Sequence, residues 1–408
     1  MLRPALVAAA LCGALTVGAS PAQASPTSVR ADLRNRLHSA LAQSTASSIS
    51  ASFDVDGLGS VYAPGATTSQ RPASTEKLFT TFAVLKQLGA DGRLRTQLRS
   101  PVAQRGPYLE GDVYLVGVGD AYFTTPQLET LASAVRAKGI RKITGALIVD
   151  DSRYDAARRA PGWKSYYVPD ESGPLDALAL DKNAWKRGSA YVADPALPVL
   201  GRLAELLRKH GVAVGTTQRR AVVPATATVL ASHVSASVAD IVRRINKGSD
   251  NFAAELLHKE LGAVVRRDGS SAGGAAAVRD VLAPLGVTVG TVADGSGLSS
   301  RGRQTAAGEM SLLKAAEASS VYSALRRSLP IACKDGTLEK RMCGTAAAGK
   351  AIAKTGTLDY TSTLTGWTTT ADGHTVRFAI LLSGTTSSTK ARQALDACVA
   401  LLSAARVG

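Results

Sequence analysis

The chain has 408 residues, of which 45% are hydrophobic and 20% are charged, and its formal net charge is +16. The length suggests two or three domains, and the composition is that of a globular protein, which excludes a fibrous or disordered chain. The positive charge either keeps the protein soluble or favours anionic surfaces such as cell-wall polymers. The sequence contains no basic helix with interleaved aromatic residues, so we expect no nucleic-acid partner.

The N-terminal residues predict export. Arg3 precedes an apolar run over Ala5 to Val17, and Ala22-Gln23-Ala24 fits a cleavage site, so residues 1–24 are predicted to be a secretory signal peptide. The apolar run is too short to cross a bilayer, and no other stretch is long and apolar enough. We therefore expect a secreted protein, in the cell wall or the periplasm, with no membrane span after cleavage.

The residues up to 90 predict two helices and a hairpin. Leu33, Leu37 and Leu41 recur at helical spacing, and Asp56-Gly57 is a turn signal between two strand-like runs. A later apolar run stops at Gly89, as a helix commonly does. The predicted elements are a helix over 32–42, strands over 48–54 and 59–62, and a buried helix over 75–88.

The pattern changes between residues 91 and 227, where short apolar runs alternate with Gly, Pro and Asp clusters. Strands are predicted over 112–118 and 146–149 and a helix over 200–210, which indicates an inserted, mixed and β-rich domain. Gly117-Val118-Gly119 lacks the third glycine of a dinucleotide-binding loop, so we interpret it as a turn at the end of a strand.

Helical patterns return after residue 228, and strand patterns follow near the C-terminus. Strands from both ends of the chain fit one antiparallel sheet flanked by helices, an α+β fold in which residues 25–90 and 228–408 form one domain. The predicted elements are helices over 238–245, 252–261, 275–285, 306–318 and 389–402, and strands over 351–356, 362–369 and 376–382.

Three cysteines lie outside the predicted signal peptide. Cys333 and Cys343 enclose a short loop and are the pair that we expect to form a disulfide in an exported protein. Cys398 is then left as a buried thiol on a helix. The histidines are scattered, and no pair has the spacing of a zinc site, so we expect no metal.

The first candidate motif is Ser74-Thr75-Glu76-Lys77, which opens the predicted buried helix. A serine and a lysine three residues apart share one helix face, and burial or a second cation nearby lowers the pKa of a lysine. A neutral amine can then take the proton of the serine hydroxyl. The same spacing occurs at 311–314 and 387–390, where it is interpreted as a solvated helix face. Ser74 differs because a polar loop that contains Pro72 precedes it and a strongly apolar helix follows it.

Two further motifs follow in order. Ser249-Asp250-Asn251 lies between two predicted helices, and a helix cap is an alternative interpretation of it. Lys354-Thr355-Gly356, followed by Thr357, lies on a predicted strand, where the lysine can bind a carboxylate and the glycine lets a substrate backbone approach. The alternative here is an exposed edge strand with a protective lysine.

Ser-x-x-Lys, Ser-Asp-Asn and Lys-Thr-Gly in this order resemble the signature set of penicillin-binding proteins and serine β-lactamases. The domain-sized insertion is similar to that of the D-alanyl-D-alanine carboxypeptidase/endopeptidase family of low-molecular-mass penicillin-binding proteins. Segments 145–152, 294–299 and 335–338 also resemble that family. We expect segment 294–299 to be a glycine-rich turn that caps the next helix. Because Ser300 separates Ser299 from Arg301, unlike the family pattern, no role is given to Arg301.

The resemblance implies a serine D,D-peptidase that cuts D-alanyl-D-alanine-type bonds of peptidoglycan stem peptides, is acylated by β-lactams and needs no cofactor. Ser74 is then the nucleophile, Lys77 takes its proton, and Ser249 relays a proton to the leaving amine. The backbone N–H groups of Ser74 and Thr357 form the oxyanion hole. The implied substrate-binding residues are Asn251, Lys354, Thr355, Gly356 and Thr357.

Other functions stay open. A β-lactamase of the same fold would need a base that activates water, and no convincing Glu motif between Ser249 and Lys354 supplies one. A catalytically silent wall-binding protein would not need the intact motif set. A Ser-His-Asp hydrolase is a weaker alternative, because Ser296 does not lie in a spaced G-x-S-x-G motif.

Overall fold

The computed structural model describes residues 25–408 except 185, 188 and 189, so the predicted signal peptide lies outside the described residues. None of the helices in the described part is long and apolar enough to cross a membrane. The α-helices are α1 (Pro26–Ala42), α2 (Glu76–Leu88), α3 (Thr125–Ala137), α4 (Tyr167–Asp170), α5 (Ala196–Lys209), α6 (Val238–Gly248), α7 (Asn251–Arg266), α8 (Ser271–Leu282), α9 (Ala306–Glu317), α10 (Tyr322–Ser328) and α11 (Ser388–Ala404).

The strands form a main sheet, two sheets of the insertion and a small two-stranded ribbon. They are β1 (Ser48–Val55), β2 (Gly59–Tyr62), β3 (Arg95–Ser100), β4 (Gln104–Arg105), β5 (Tyr108–Leu109), β6 (Val113–Val116), β7 (Lys142–Ile143), β8 (Leu147–Asp150), β9 (Lys186–Arg187), β10 (Ala190–Tyr191), β11 (Ala213–Val214), β12 (Gln218–Arg220), β13 (Thr228–Val234), β14 (Ile352–Leu358), β15 (Thr361–Thr369) and β16 (Thr375–Ser383).

The main sheet has five antiparallel strands in the order β14-β15-β16-β1-β2, so the two ends of the chain close one sheet. Side chains Phe378, Ile380 and Leu382 of β16 pack with leucines of α1 and α11, whereas Ala379 and Leu381 face the start of α9. Burial on both faces explains why β16 is a continuous apolar run. The predicted α+β fold, with an antiparallel sheet flanked by helices, is confirmed.

Helix α2 runs through the helical core. All its residues from Glu76 to Leu85 are buried, and α6, α7 and α8 pack around it. The helix ends at Gly89, as predicted, where φ is 75° and a glycine is favoured. Because this part of α2 is enclosed on all sides, its polar residues, Lys77 among them, must find partners inside the protein.

The insertion builds its own core from two sheets of mixed pairing, with strand orders β12-β8-β6-β3-β13 and β11-β7-β5-β4. Helices α3 and α5 supply much of that core. The expected mixed, β-rich insertion is therefore present. Strand β13 lies beyond residue 227, the predicted end of the insertion, yet it pairs with β3 and extends the inserted sheet. Gly117 to Gly119 directly follow β6, in agreement with a turn at the strand end.

The cysteines behave as the sequence predicts. Cys333 and Cys343 form a disulfide, and Cys398 is a buried free thiol on α11. Burial raises the pKa of the Cys398 thiol to about 12, so the group stays protonated. Cys398 therefore contributes to the core as a small apolar side chain.

Replacing Cys343 with Ser should lower the free energy of unfolding by about 2–3 kcal/mol, because the open chain regains the entropy that a short closed loop removes. Urea unfolding of the oxidised proteins measures this difference. Reductant should destabilise the parent by the same amount and leave Cys343→Ser unchanged. A variant as stable as the oxidised parent would contradict the prediction.

Candidate active site

A cleft of about 1030 Å³ opens where the main sheet, the helical core and the insertion meet. Among the predicted site residues, those that line it are Ser74, Ser249, Asn251, Thr355 and Thr357. The other three, Lys77, Lys354 and Gly356, are buried beneath these residues. The structure therefore brings together three chain segments that are far apart in sequence.

Ser74 lies in a 3₁₀ turn, Ala73–Thr75, that leads directly into α2. Ala73 has a φ of 50°, a left-handed conformation that costs energy for a residue with a Cβ atom. The turn is anchored from the main sheet, because the Thr363 hydroxyl donates a hydrogen bond of 2.9 Å to the Pro72 carbonyl. This anchor holds Ser74 at the cleft wall beside the N-terminus of α2.

The amine of Lys77 contacts three oxygen atoms. Its Nζ lies 3.0 Å from Oγ of Ser74, 2.7 Å from Oδ1 of Asn251 and 2.6 Å from the carbonyl oxygen of Ser296. The predicted approach of the amine to the serine hydroxyl is present. Asn251 connects the second motif to the first.

Two opposing influences set the protonation of Lys77. Burial, the larger one, lowers its pKa from the usual 10.5 to about 8, while the charge of nearby carboxylates raises it. At pH 7, roughly a tenth of the amine is therefore neutral. Burial and, to a smaller extent, the charge of Lys77 lower the pKa of Lys354 well below its usual value. The carboxylates that act on Lys77 belong to Asp294, Asp250, Glu171 and Glu255.

The Ser249-Asp250-Asn251 motif connects α6 to α7. Ser249 ends α6 in a left-handed conformation with φ 57°, and the Asp250 carboxylate caps α7 by accepting a hydrogen bond from the Ala253 backbone N–H. The motif therefore contains a helix cap and also lines the cleft. The helix cap is confirmed, and the role of the motif in the reaction stays a prediction.

Lys354 and Thr355 lie on β14, at the edge of the main sheet. Nζ of Lys354 donates hydrogen bonds of 2.9 Å to Oγ of Ser249 and of 2.9 Å to the carbonyl oxygen of Thr355. Because Lys354 is completely buried, the alternative of an exposed protective lysine is wrong. The third motif is thus bonded directly to the second.

Gly356 is required by the packing of the protein itself. A Cβ atom at this position would lie 2.1 Å from Oγ1 of Thr363 and 2.9 Å from both the Pro72 carbonyl oxygen and the Ser74 backbone nitrogen. The structure shows that the turn carrying Ser74 approaches β14 too closely for any side chain. Space for a substrate backbone, the reason that the sequence suggests, stays a prediction.

Three contributors to the site belong to none of the three motifs. Glu171 of the insertion lines the cleft and accepts a hydrogen bond of 3.2 Å from the amide nitrogen of Asn251. Oγ1 of Thr337, inside the disulfide loop, lies 2.7 Å from Oγ1 of Thr355. The third is the carbonyl of Ser296. Single residues have no spacing signal, although Thr337 and Ser296 do lie in stretches that resemble the family.

Segment 294–299 forms a turn, but it does not cap the next helix. The Asp294 carboxylate accepts hydrogen bonds from the Ser296 hydroxyl and from backbone N–H groups of the turn. Helix α9 is capped by Thr305 instead, so the predicted capping role is wrong. Residues 300–304 separate the turn from the helix, and the turn packs against Lys77.

The two other Ser-x-x-Lys pairs have structural roles. Ser311 donates a hydrogen bond of 2.7 Å to the Gly308 carbonyl within α9, and Ser387 is the N-cap of α11. Both lysines, Lys314 and Lys390, are exposed. This agrees with the interpretation of both pairs as solvated helix faces.

A buried carboxyl supports the turn that carries Ser74. Oε1 of Glu309 lies 2.6 Å from Oγ1 of Thr75, and its other oxygen contacts Thr365 on β15. Oγ1 of Thr75 also lies 2.8 Å from the Pro72 carbonyl, and its one proton cannot serve both acceptors. A protonated Glu309 resolves this by donating to Thr75, and burial raises the pKa of Glu309 to about 7.

Comparison with known proteins gives one family. The family model described as D-Ala-D-Ala carboxypeptidase 3 (S13) matches residues 33–187 and 178–405. Carboxypeptidase DacB of Mycolicibacterium smegmatis is 32% identical, over 92% of this chain and 85% of that protein. The D-alanyl-D-alanine carboxypeptidase of an Actinomadura species is 29% identical, over 77% of this chain and 73% of that protein.

A solved structure shows the same fold. Penicillin binding protein 4 (dacB) from Haemophilus influenzae superposes with a TM-score of 0.75 at 22% sequence identity. The match covers 88% of this chain and 94% of that one. The insertion is therefore part of a fold that both proteins share.

The raised pKa of Glu309 predicts a pH dependence of stability. The pKa is about 7 in the folded protein against the usual 4.5, so the stabilisation is complete below about pH 4.5 and is lost as the pH rises through 7. Glu309→Gln keeps a donor and an acceptor without the charge. It should be more stable than the parent at pH 8, by up to about 3 kcal/mol, and differ less at pH 5.

Urea unfolding at both pH values measures this. The exposed Glu339 supplies a matched control, since Glu339→Gln should show no such pH-dependent difference. An equal effect of Glu309→Gln at pH 5 and pH 8 would refute the protonated state of Glu309.

Proposed function

We propose that this chain, which belongs to the D-Ala-D-Ala carboxypeptidase 3 (S13) family, hydrolyses D-alanyl-D-alanine-type bonds of peptidoglycan stem peptides through an acyl-enzyme on Ser74. β-Lactams acylate the same serine. The observation that carries the proposal is the Lys77 amine, 3.0 Å from the Ser74 hydroxyl at the wall of an open cleft. The predicted signal peptide assigns the reaction to the cell wall or the periplasm.

Acylation begins with a proton transfer. Neutral Lys77 accepts the proton of the Ser74 hydroxyl while Oγ forms a bond to the carbonyl carbon of the penultimate D-alanine, and the carbonyl oxygen gains the negative charge. The positive end of the α2 dipole, next to Ser74, stabilises charge that develops on the serine oxygen. Because the step needs the lone pair on Nζ, only the neutral fraction of Lys77 is active.

The oxyanion binds between the Ser74 turn and β14. The close approach of the two at Gly356 supports this, because it puts the backbone N–H groups of Ser74 and Thr357 on neighbouring chain segments. Charge on the oxygen appears only in the transition state, so such donors favour that state over the bound substrate. Each contributes about 3 kcal/mol to lowering the barrier.

Ser249 delivers a proton to the leaving amine as the C–N bond breaks. Its Oγ accepts a hydrogen bond of 2.9 Å from Lys354, so its own proton is free to point into the cleft. The proton that Lys77 took from Ser74 replaces the one that Ser249 gives, so the step restores the Ser249 hydroxyl and the neutral Lys77 amine. Thr355 binds the terminal carboxylate of the substrate, and the negative charge of that carboxylate favours the protonated form of the Lys354 amine behind it. Water then hydrolyses the ester and restores Ser74.

The β-lactamase alternative gains one observation from the structure. Glu171 places a carboxylate at the cleft wall, hydrogen-bonded to Asn251, where the sequence offered no base for the attacking water. The two functions differ in how long the acyl group stays on the serine. The lifetime of the penicillin adduct therefore separates them.

Ser74→Ala should abolish the release of D-alanine from a peptide that ends in D-Ala-D-Ala, because the variant lacks the attacking oxygen. The same variant should form no penicillin adduct by mass spectrometry, whereas the parent forms a stable one. Ser311→Ala, with the same Ser-x-x-Lys spacing outside the cleft, is the matched control and should keep full activity.

Three results would contradict the proposal. Release of D-alanine by Ser74→Ala at the parental rate would show that Ser74 is not the nucleophile. Rapid turnover of penicillin by the parent favours the β-lactamase. A parent that neither acylates nor releases D-alanine favours a silent wall-binding protein.

The rate of penicillin acylation should rise with pH and level off above about pH 8, since the pKa of Lys77 is about 8 and the neutral amine is the base. Stopped-flow or quenched mass measurements between pH 6 and pH 10 give this profile. A rate that is independent of pH across this range would show that Lys77 is not the group that takes the proton.

A further inference from the structure

The buried carboxylate of Asp294 is the centre of a hydrogen-bond cluster that reaches from the insertion to Lys77. Its Oδ2 accepts hydrogen bonds of 2.7 Å from the indole N–H of Trp163 and of 2.6 Å from the Ser296 hydroxyl. Its Oδ1 accepts one of 3.1 Å from the Gly297 backbone N–H. Since the Ser296 carbonyl accepts a hydrogen bond from Lys77, the cluster holds one of the three partners of the amine.

The nature of those three partners decides where the lone pair of the amine points. A neutral amine has two N–H donors and one lone pair, whereas the charged form has three donors. The Asn251 amide oxygen and the Ser296 carbonyl can only accept, while the Ser74 hydroxyl can also donate. The two N–H bonds of neutral Lys77 therefore point at Asn251 and Ser296, and the lone pair faces the Ser74 proton.

We propose that Asp294 is a positioning residue of the reaction, which fixes the Ser296 carbonyl so that the lone pair of Lys77 is aimed at Ser74. Trp163 holds the carboxylate from the insertion side. This inference rests on the proposed function, because it assumes that Lys77 is the base. Without a fixed Ser296 carbonyl, the neutral amine can turn its lone pair away from the hydroxyl.

A charge at Asp294 also acts on the amine through space. Among the carboxylates that raise the pKa of Lys77, Asp294 has the largest effect, ahead of Asp250, Glu171 and Glu255. Glu255 is itself held back from ionising: burial first, and the Asp294 charge second, raise its pKa to about 7. The same two causes raise the pKa of Glu76, which precedes Lys77 on α2. Lys354 is the buried lysine on the other side, and burial, followed by the charge of Lys77, lowers its pKa well below the usual value.

The decisive measurement is the pH profile of penicillin acylation in Asp294→Asn. The plateau rate should fall roughly 10- to 100-fold, because an amide has one acceptor oxygen where the carboxylate has two and the turn loses its fixed geometry. The limb of the profile, meaning the pH range in which the rate rises toward the plateau, should move to lower pH by about one unit. The reason is that the charge that raises the pKa of Lys77 is gone. If Asp294 had only a structural role, its substitution would lower the acylation rate by the same factor at every pH and leave the limb at the parental pH.

Trp163→Phe is the second variant, and it keeps the charge while removing the indole donor. It should lower the plateau rate several-fold and leave the limb at the parental pH. Its matched control is Trp367→Phe, because Trp367 is also a buried indole that donates to a carboxylate, Glu317, at 2.6 Å, away from the cleft. The control should retain the parental rate and limb.

The results separate this inference from the proposed function. A parent that forms no adduct overturns the proposed function. A parent that acylates, beside an Asp294→Asn whose limb stays at the parental pH or whose rate is unchanged, overturns only the role of Asp294. If Asp294→Asn does not fold, which an absence of cooperative unfolding would show, the two tryptophan variants decide. A lower acylation rate in Trp163→Phe but not in Trp367→Phe supports the positioning role of Asp294. Equal acylation rates in the two variants reject it.

Discussion

The burial of Lys77 inside α2 is the constraint on which the rest of the site depends. An amine that leaves water must replace every lost hydrogen bond within the protein, or the fold bears a penalty of several kcal/mol. The three replacements come from Ser74, Asn251 and Ser296, on three separate segments. The same burial that demands these partners also lowers the pKa of the amine, so the stability requirement and the chemical requirement have one cause.

Local strain around the site is maintained by contacts from elsewhere. Ala73 and Ser249 both have left-handed backbone conformations without being glycine. Each is next to a strong anchor: Thr363 of the main sheet bonds to Pro72, and Lys354 bonds to Ser249. Strained residues persist where the surrounding structure determines them, and such positions cluster at functional sites.

The insertion belongs to the site rather than being an appendage to it. Trp163 bonds to Asp294, and Glu171 bonds to Asn251. Asp250, in the middle of the second motif, accepts hydrogen bonds from Tyr122 at 3.2 Å and from Lys182 at 2.5 Å, both in the insertion. Every one of these pairs joins residues far apart in the chain, so the insertion is in direct contact with groups around Lys77.

The sequence by itself determined the features that local pattern encodes. The apolar run from Leu78 and the glycine that follows it located α2, and the C-terminal strands followed from continuous apolar or alternating residues, because period and turn chemistry are local properties. The sequence predicts a helix over 275–285 that begins later in the chain than α8 does, because the Ala- and Gly-rich start of α8 has no apolar period. The two-residue strands of the insertion are too short to leave a pattern. The tertiary structure alone decided that Lys354 bonds to Ser249, that Gly356 makes room for the Ser74 turn, and that Asp294, Ser296 and Glu171 join the site. Those contacts depend on how distant segments pack, and neither a backbone carbonyl nor a single carboxylate has a sequence pattern that marks its partner.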